Sequence, residues 1–75
     1  MANSIAGIDW SQVTLTRAEV WQSDASYLAG WDGTPASDSD AMTIPQGKLM
    51  NFPDGVVVNI RRVQGKDVNI QRMPS

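Results

Sequence analysis

Val56-Val57-Val58-Asn59-Ile60-Arg61-Arg62-Val63, then Gln64-Gly65-Lys66, then Asp67-Val68-Asn69-Ile70-Gln71-Arg72-Met73 is the stretch on which the fold turns. Two β-branched runs flank a short polar break with a glycine, the sequence form of a β-hairpin. Side chains alternate faces along a strand, so parity restricts the pairing. A two-residue turn at Gly65-Lys66 would pair Ile70 with Arg61 and split the apolar rows. A three-residue loop, Gln64-Gly65-Lys66, pairs Val63 with Asp67, Arg62 with Val68 and Ile60 with Ile70, and is the expected one. One face is then Val56, Val58, Ile60, Val68 and Ile70. The other is Val57, Asn59, Arg61, Asn69 and Gln71. Burying five β-branched side chains at ~1.5–3 kcal/mol each gives a strong drive, and a lone hairpin is marginal in water, so this face needs a cover. The runs also echo each other: Val58-Asn59-Ile60-Arg61-Arg62 returns ten residues later as Val68-Asn69-Ile70-Gln71-Arg72. Two paired strands converging on one pattern explain that. A β-repeat of a fibre or solenoid needs three or more units, and two are visible.

Working back, Pro53-Asp54-Gly55 is a turn, and Gln46-Gly47 another, with Pro45 stopping a short strand. The expected meander has strands at about 42–44, 48–52, 56–63 and 67–73. Earlier residues point two ways. Val13-Thr14-Leu15-Thr16 alternates like a strand. Thr16-Arg17-Ala18-Glu19 has capping-box spacing, which predicts a short helix over about 17–28 with Val20, Trp21, Tyr27 and Leu28 on one stripe. Ser23, Asp24 and Ser26 weaken that helix. The expected class is therefore a small α+β or mostly β fold. The helix would lie over the hairpin; the alternative is an all-β fold with a strand at 12–21. Residues 1–75 read as one small domain with an extended arm at 1–9 and an acidic Gly/Ser/Asp loop at 30–41.

The chain has 75 residues, no Cys and no His. That removes disulfides, thiolate metal sites and imidazole chemistry, and leaves a small core without the usual staples. There is no apolar run near 18 residues and no signal peptide, so the chain reads as soluble and made in a cytoplasm. Net charge is −2, unevenly spread. Residues 1–40 hold six acids against Arg17; residues 41–75 hold five bases against two acids. Such polarity suits either an acidic half folded over a basic one or head-to-tail contact between copies.

The acidic loop offers Asp32, Asp38 and Asp40 as hard oxygen ligands. An EF-hand beginning at Asp32 would need acids or amides where Thr34 and Ala36 stand and Glu where Thr43 stands, so no metal site is expected. No nucleotide-binding glycine motif is present, and no Ser-Lys pairing is implied. The sequence thus points away from an enzyme, a cofactor or a small-molecule substrate. Arg61, Arg62, Lys66 and Arg72 could make the hairpin a major-groove ribbon, but parity splits Arg61 from Arg62 and Arg72, and the acidic total opposes phosphate binding. Trp10, Trp21 and Trp31 supply core bulk or interface anchors. Candidate contact residues are Trp10, Trp21, Trp31, Asp32, Asp38, Asp40, Arg61, Arg62 and Arg72.

Short, Cys-free, His-free and rich in Ser, Asp, Asn, Gln and Val, the chain resembles small tailed-phage virion proteins in composition. That resemblance implies a structural part of decoration, tail or connector type, held by contacts with other protein chains, as a homo-oligomer or in a larger assembly. Two alternatives are a phage-type regulatory protein whose acidic loop fills a basic groove on a host protein, and the nucleic-acid-binding hairpin.

Overall fold

In a computed structural model, residues 2–31, 40–63 and 65–75 are described. They form eight strands: β1 (Ala2–Ala6), β2 (Ser11–Thr14), β3 (Glu19–Ser23), β4 (Tyr27–Trp31), β5 (Met42–Ile44), β6 (Met50–Phe52), β7 (Val57–Arg62) and β8 (Val68–Pro74). Two four-stranded sheets result, in the orders β1-β8-β3-β6 and β2-β7-β4-β5, with every pairing antiparallel. First pairs with last, second with seventh, third with sixth and fourth with fifth. That nesting is one long antiparallel ribbon, wrapped so that successive strand pairs fall alternately into two sheets. It is the topology of a jelly roll.

The alternation expected of the opening stretch is present, but its pairing is not. β7 and β8 stand in different sheets, and the chain crosses between them after Arg62. The hairpin expected of these two strands does not form, nor does the four-stranded meander. Val58 and Ile60 line one wall of the core and Val68 and Ile70 the other. Parity allows both solutions, because two strands with matching apolar rows can pair edge to edge or face each other. Facing wins here because each row then covers the other, where a hairpin would leave both needing a lid. The ten-residue echo reflects this: β7 and β8 are each the second strand of their own sheet.

The helix expected over 17–28 is replaced by β3, a turn at 24–26 and β4. Glu19 does not close a capping box. Its carboxylate is taken by Arg72 and Trp21. Glu19, Trp21 and Ser23 are buried while Val20 and Gln22 are less so, a period of two. Long-range pairing overrides the local helix signal, and Ser23-Asp24-Ala25-Ser26 had already weakened that signal. The all-β class holds, though the single strand expected at 12–21 is split into β2 and β3 by a corner at 15–18. The arm at 1–9 includes a full sheet member, β1, in register with β8 from Ala2↔Arg72 to Ala6↔Val68. The strand expected at 48–52 is shorter, at 50–52, and 42–44 stands as read. Of the loop at 30–41, Gly30 and Trp31 complete β4, and 32–39 lie outside the described residues.

One core joins the sheets: Ala6, Trp21, Phe52, Val68 and Ile70 from one, Tyr27, Ala29, Ile44, Val58 and Ile60 from the other, with Leu15 from the 15–18 corner. Trp31 meets Phe52 across the gap, ring centroids 5.5 Å apart and near-perpendicular. The described corners are three to five residues long. Two need a left-handed backbone, Gly47 (φ 77°) and Gly55 (φ 78°). A Cβ at either would meet nothing within 4 Å, so substitution costs backbone energy alone. Gly47→Ala and Gly55→Ala are each expected to cost about 1 kcal/mol, lowering Tm by roughly 4–8 °C by calorimetry. An unchanged Tm would show that these turns relax.

Candidate functional site

The most organised polar cluster lies on the inner side of the β1-β8-β3-β6 sheet. Register sets Trp21 beside Arg72 on β3 and β8 and Ala2 beside Arg72 on β1. Arg72 donates from Nε to Glu19 Oε1 (2.8 Å), from Nη2 to Glu19 Oε2 (3.0 Å), and from Nη1 to Ser4 Oγ (3.2 Å). Trp21 Nε1 donates to Glu19 Oε1 (2.9 Å). The guanidinium also lies 5.7 Å from the Trp21 ring centroid, a cation–π distance. Side-chain exposure is 18% for Arg72 and 11% for Glu19, so both charges are largely out of water. The Arg72 hydrogen bonds hold the Glu19 carboxyl below its ordinary value, with burial opposing and Trp21 assisting. A carboxylate kept ionised by a two-pronged arginine is a poor proton donor or base. Chemically this cluster is a clamp that ties β1, β3 and β8 together.

Tyr27 is fully buried, and burial pushes its phenol up to about 12. Its Oη and Ser23 Oγ are buried without a hydrogen-bond partner among the described residues. Arg62 pairs with Asp67 at 3.3 Å, where Asp67 is largely exposed, so little stability is at stake. An open cleft of about 420 Å³ is lined by Asp24, Ser26, Gln46, Lys66 and Val68 among others, at the end of the sandwich where β3 turns into β4. Among the described residues no group of three carboxylates, Cys or His gathers to hold a metal ion. No helix of those residues is long and apolar enough to cross a membrane.

The nine candidate contact residues scatter over this frame. Trp21 is fully buried, and Trp31 packs against the core from the end of β4. Trp10 is half-buried on the corner between β1 and β2. Asp32 and Asp38 lie outside the described residues, and Asp40 is exposed. Arg61 stands on the outer row of β7, Arg62 on the inner row at its end, and Arg72 is internal. Arg62 and Arg72 belong to different sheets, so no two-stranded basic ribbon is available for a groove. Two members of the clamp, Glu19 and Ser4, were not among the candidates. A signal existed: an arginine in parity with Val68 and Ile70 must point inward, and an inward arginine needs a carboxylate. Which of the chain's eight carboxylates serves is not marked in the sequence.

Four strands form the sheet edges: β1 and β6 in one sheet, β2 and β5 in the other. The hairpin strands expected to offer an edge, β7 and β8, are instead flanked on both sides. Natural edges are blunted by charge, proline or covering chain. β5 runs into Pro45, and β6 lies between Lys48 and Pro53-Asp54. β1 (Ala-Asn-Ser-Ile-Ala) has no charged side chain and no proline within the strand or in the adjoining Met1, Gly7 and Ile8; β2 (Ser-Gln-Val-Thr) has none within the strand, with Asp9 two residues before it. Both are joined through one corner, beside which Ile5 is 52% and Ile8 59% exposed. Compared with protein families, curated proteins and solved structures, the chain matches none.

Proposed function

We propose that this chain is a non-enzymatic structural subunit that joins a larger protein assembly, and that a phage-type virion is the setting its composition fits. The observation that carries this reading is the pair of unguarded edge strands, β1 and β2. Uncharged edges with open backbone groups invite another strand, and a freely monomeric protein is expected to block them. The topology itself favours no activity, since jelly rolls serve as capsid domains, lectin domains and cupins alike. The clamp supports the reading indirectly. Its arginine and carboxylate satisfy each other and hold β1 in place, which presents the edge as a rigid rail.

The test is fractionation by mass of a lysate from the cells that make the protein. The chain is expected in a high-mass particle, at fixed stoichiometry to the particle's other proteins. Elution as a free 8.2 kDa monomer would overturn the reading.

A further inference from the structure

The open groups of β1 can be worked out from its neighbours. Asp24 N donates to Asn69 O at 3.1 Å, and Asn69 N donates to Asp24 Oδ1 at 3.0 Å. Asn69 therefore spends both backbone groups toward β3. In an antiparallel ladder adjacent residues point their N–H and C=O to opposite sides. Val68 and Ile70 must then face β1, where their partners are Ala6 and Ser4. Asn3 and Ile5 are left with N–H and C=O directed off the sheet. The next residue of that parity agrees: Gly7 O turns away from β8 and accepts from Arg62 N at 2.9 Å.

We propose, building on the assembly reading, that β1 pairs antiparallel with β1 of a second copy of this chain, about a two-fold axis at Ser4. Asn3 then lies opposite Ile5 of the other copy, and Ser4 opposite its own twin. All four open donors and acceptors of each such pair of strands are used, in four backbone hydrogen bonds. The two sheets become one of eight strands. A two-fold axis brings the same patch of both copies together, and β1 carries no charge that could repel another within that patch. Ser4 and Ala6, which face inward with the core row, are small and leave the strands room to approach. Half-exposed Ile5 is covered in the pairing. β2 is also uncharged, but its Gln12 and Thr14 are polar and it offers no comparable apolar cover.

The chain has no cysteine, so a single introduced thiol reports on one position. At a non-hydrogen-bonded antiparallel pair the Cα atoms are about 4.5 Å apart, within disulfide reach. Ser4→Cys is expected to oxidise to a disulfide dimer for most of the chain. Ile5→Cys, roughly 7–8 Å from its twin in this register, is expected to form no disulfide under the same oxidant. Ile5→Lys should shift the unmodified dimer to monomer by light scattering with an unchanged circular dichroism spectrum. A folded Ser4→Cys that does not cross-link would overturn the pairing. So would preferential cross-linking of Ile5→Cys, or of Val13→Cys at the centre of β2. If the chain nevertheless runs in a high-mass particle, the pairing fails and the assembly reading stands; if it also runs free, both fall.

Discussion

Trp21→Ala is expected to remove a large part of the protein's stability. The indole is fully buried, packs against Phe52 with ring centroids 4.7 Å apart and planes tilted by 58°, and lies under Arg72. Truncating such a side chain costs about 3–5 kcal/mol. A domain of this length holds roughly 4–11 kcal/mol in total, so this one change consumes a large part of it. Trp10→Ala, on a half-buried corner, should cost about 1 kcal/mol or less. Urea unfolding followed by circular dichroism separates the two. Equal costs would mean that Trp21 is not the keystone of the core, and with it the facing arrangement of the sheets would be in doubt.

Arg72→Ala is expected to cost about 3 kcal/mol, the lower end for stripping one partner from a buried pair, because the other charge is left without compensation. Glu19→Ala should cost a similar amount. The two together should cost clearly less than their sum, a coupling of about 1.5 kcal/mol or more in a double-mutant cycle. Additivity within error would show that the ion pair contributes through packing alone. The pH dependence has a definite sign. The folded carboxyl titrates below its ordinary value of 4.5. Its contribution is thus fully present above that value and is lost as pH falls through the lower, folded one. Below that point wild type and Glu19→Gln should converge in stability. Around neutrality wild type should be the more stable, and a constant gap at all pH values would exclude the linkage.

Much of the core was legible. The inward row of Val58, Ile60, Val68 and Ile70 follows from parity alone, and so does the inward direction of Arg62 and Arg72. Partner choice was not legible, because it depends on residues far apart in the chain. Arg72 and Glu19 are 53 positions apart, and nothing near either one announces the other. The hairpin expectation failed for the same reason. A Gly-containing break between matched strands fits a tight turn, and it fits equally well a corner that carries the chain to the opposite wall. The helix expectation rested on the capping-box spacing of Thr16 to Glu19 and on the stripe of Val20, Trp21, Tyr27 and Leu28, and both were outbid by strand pairing, of β3 with β6 and β8 and of β4 with β5 and β7. The clamp was half legible: the arginine's direction could be read, its ligand could not. The open edge of β1 needed the ladder's bond alternation, which appears only once its neighbour is known.

The nested pairing also sets an order in time. Of the eight strands, only β4 and β5 are both adjacent in sequence and paired; every other native pair spans more of the chain, out to β1 with β8. Of these eight strands β1 is made first and its partner β8 last. Until β8 emerges, the uncharged strand has no native partner to bind. The two sheets can therefore close only once β8 has been made, from the β4–β5 middle outward, at the slow rates typical of non-local β topologies. A nascent-chain protease assay should find no protected fragment until β8 has left the exit tunnel.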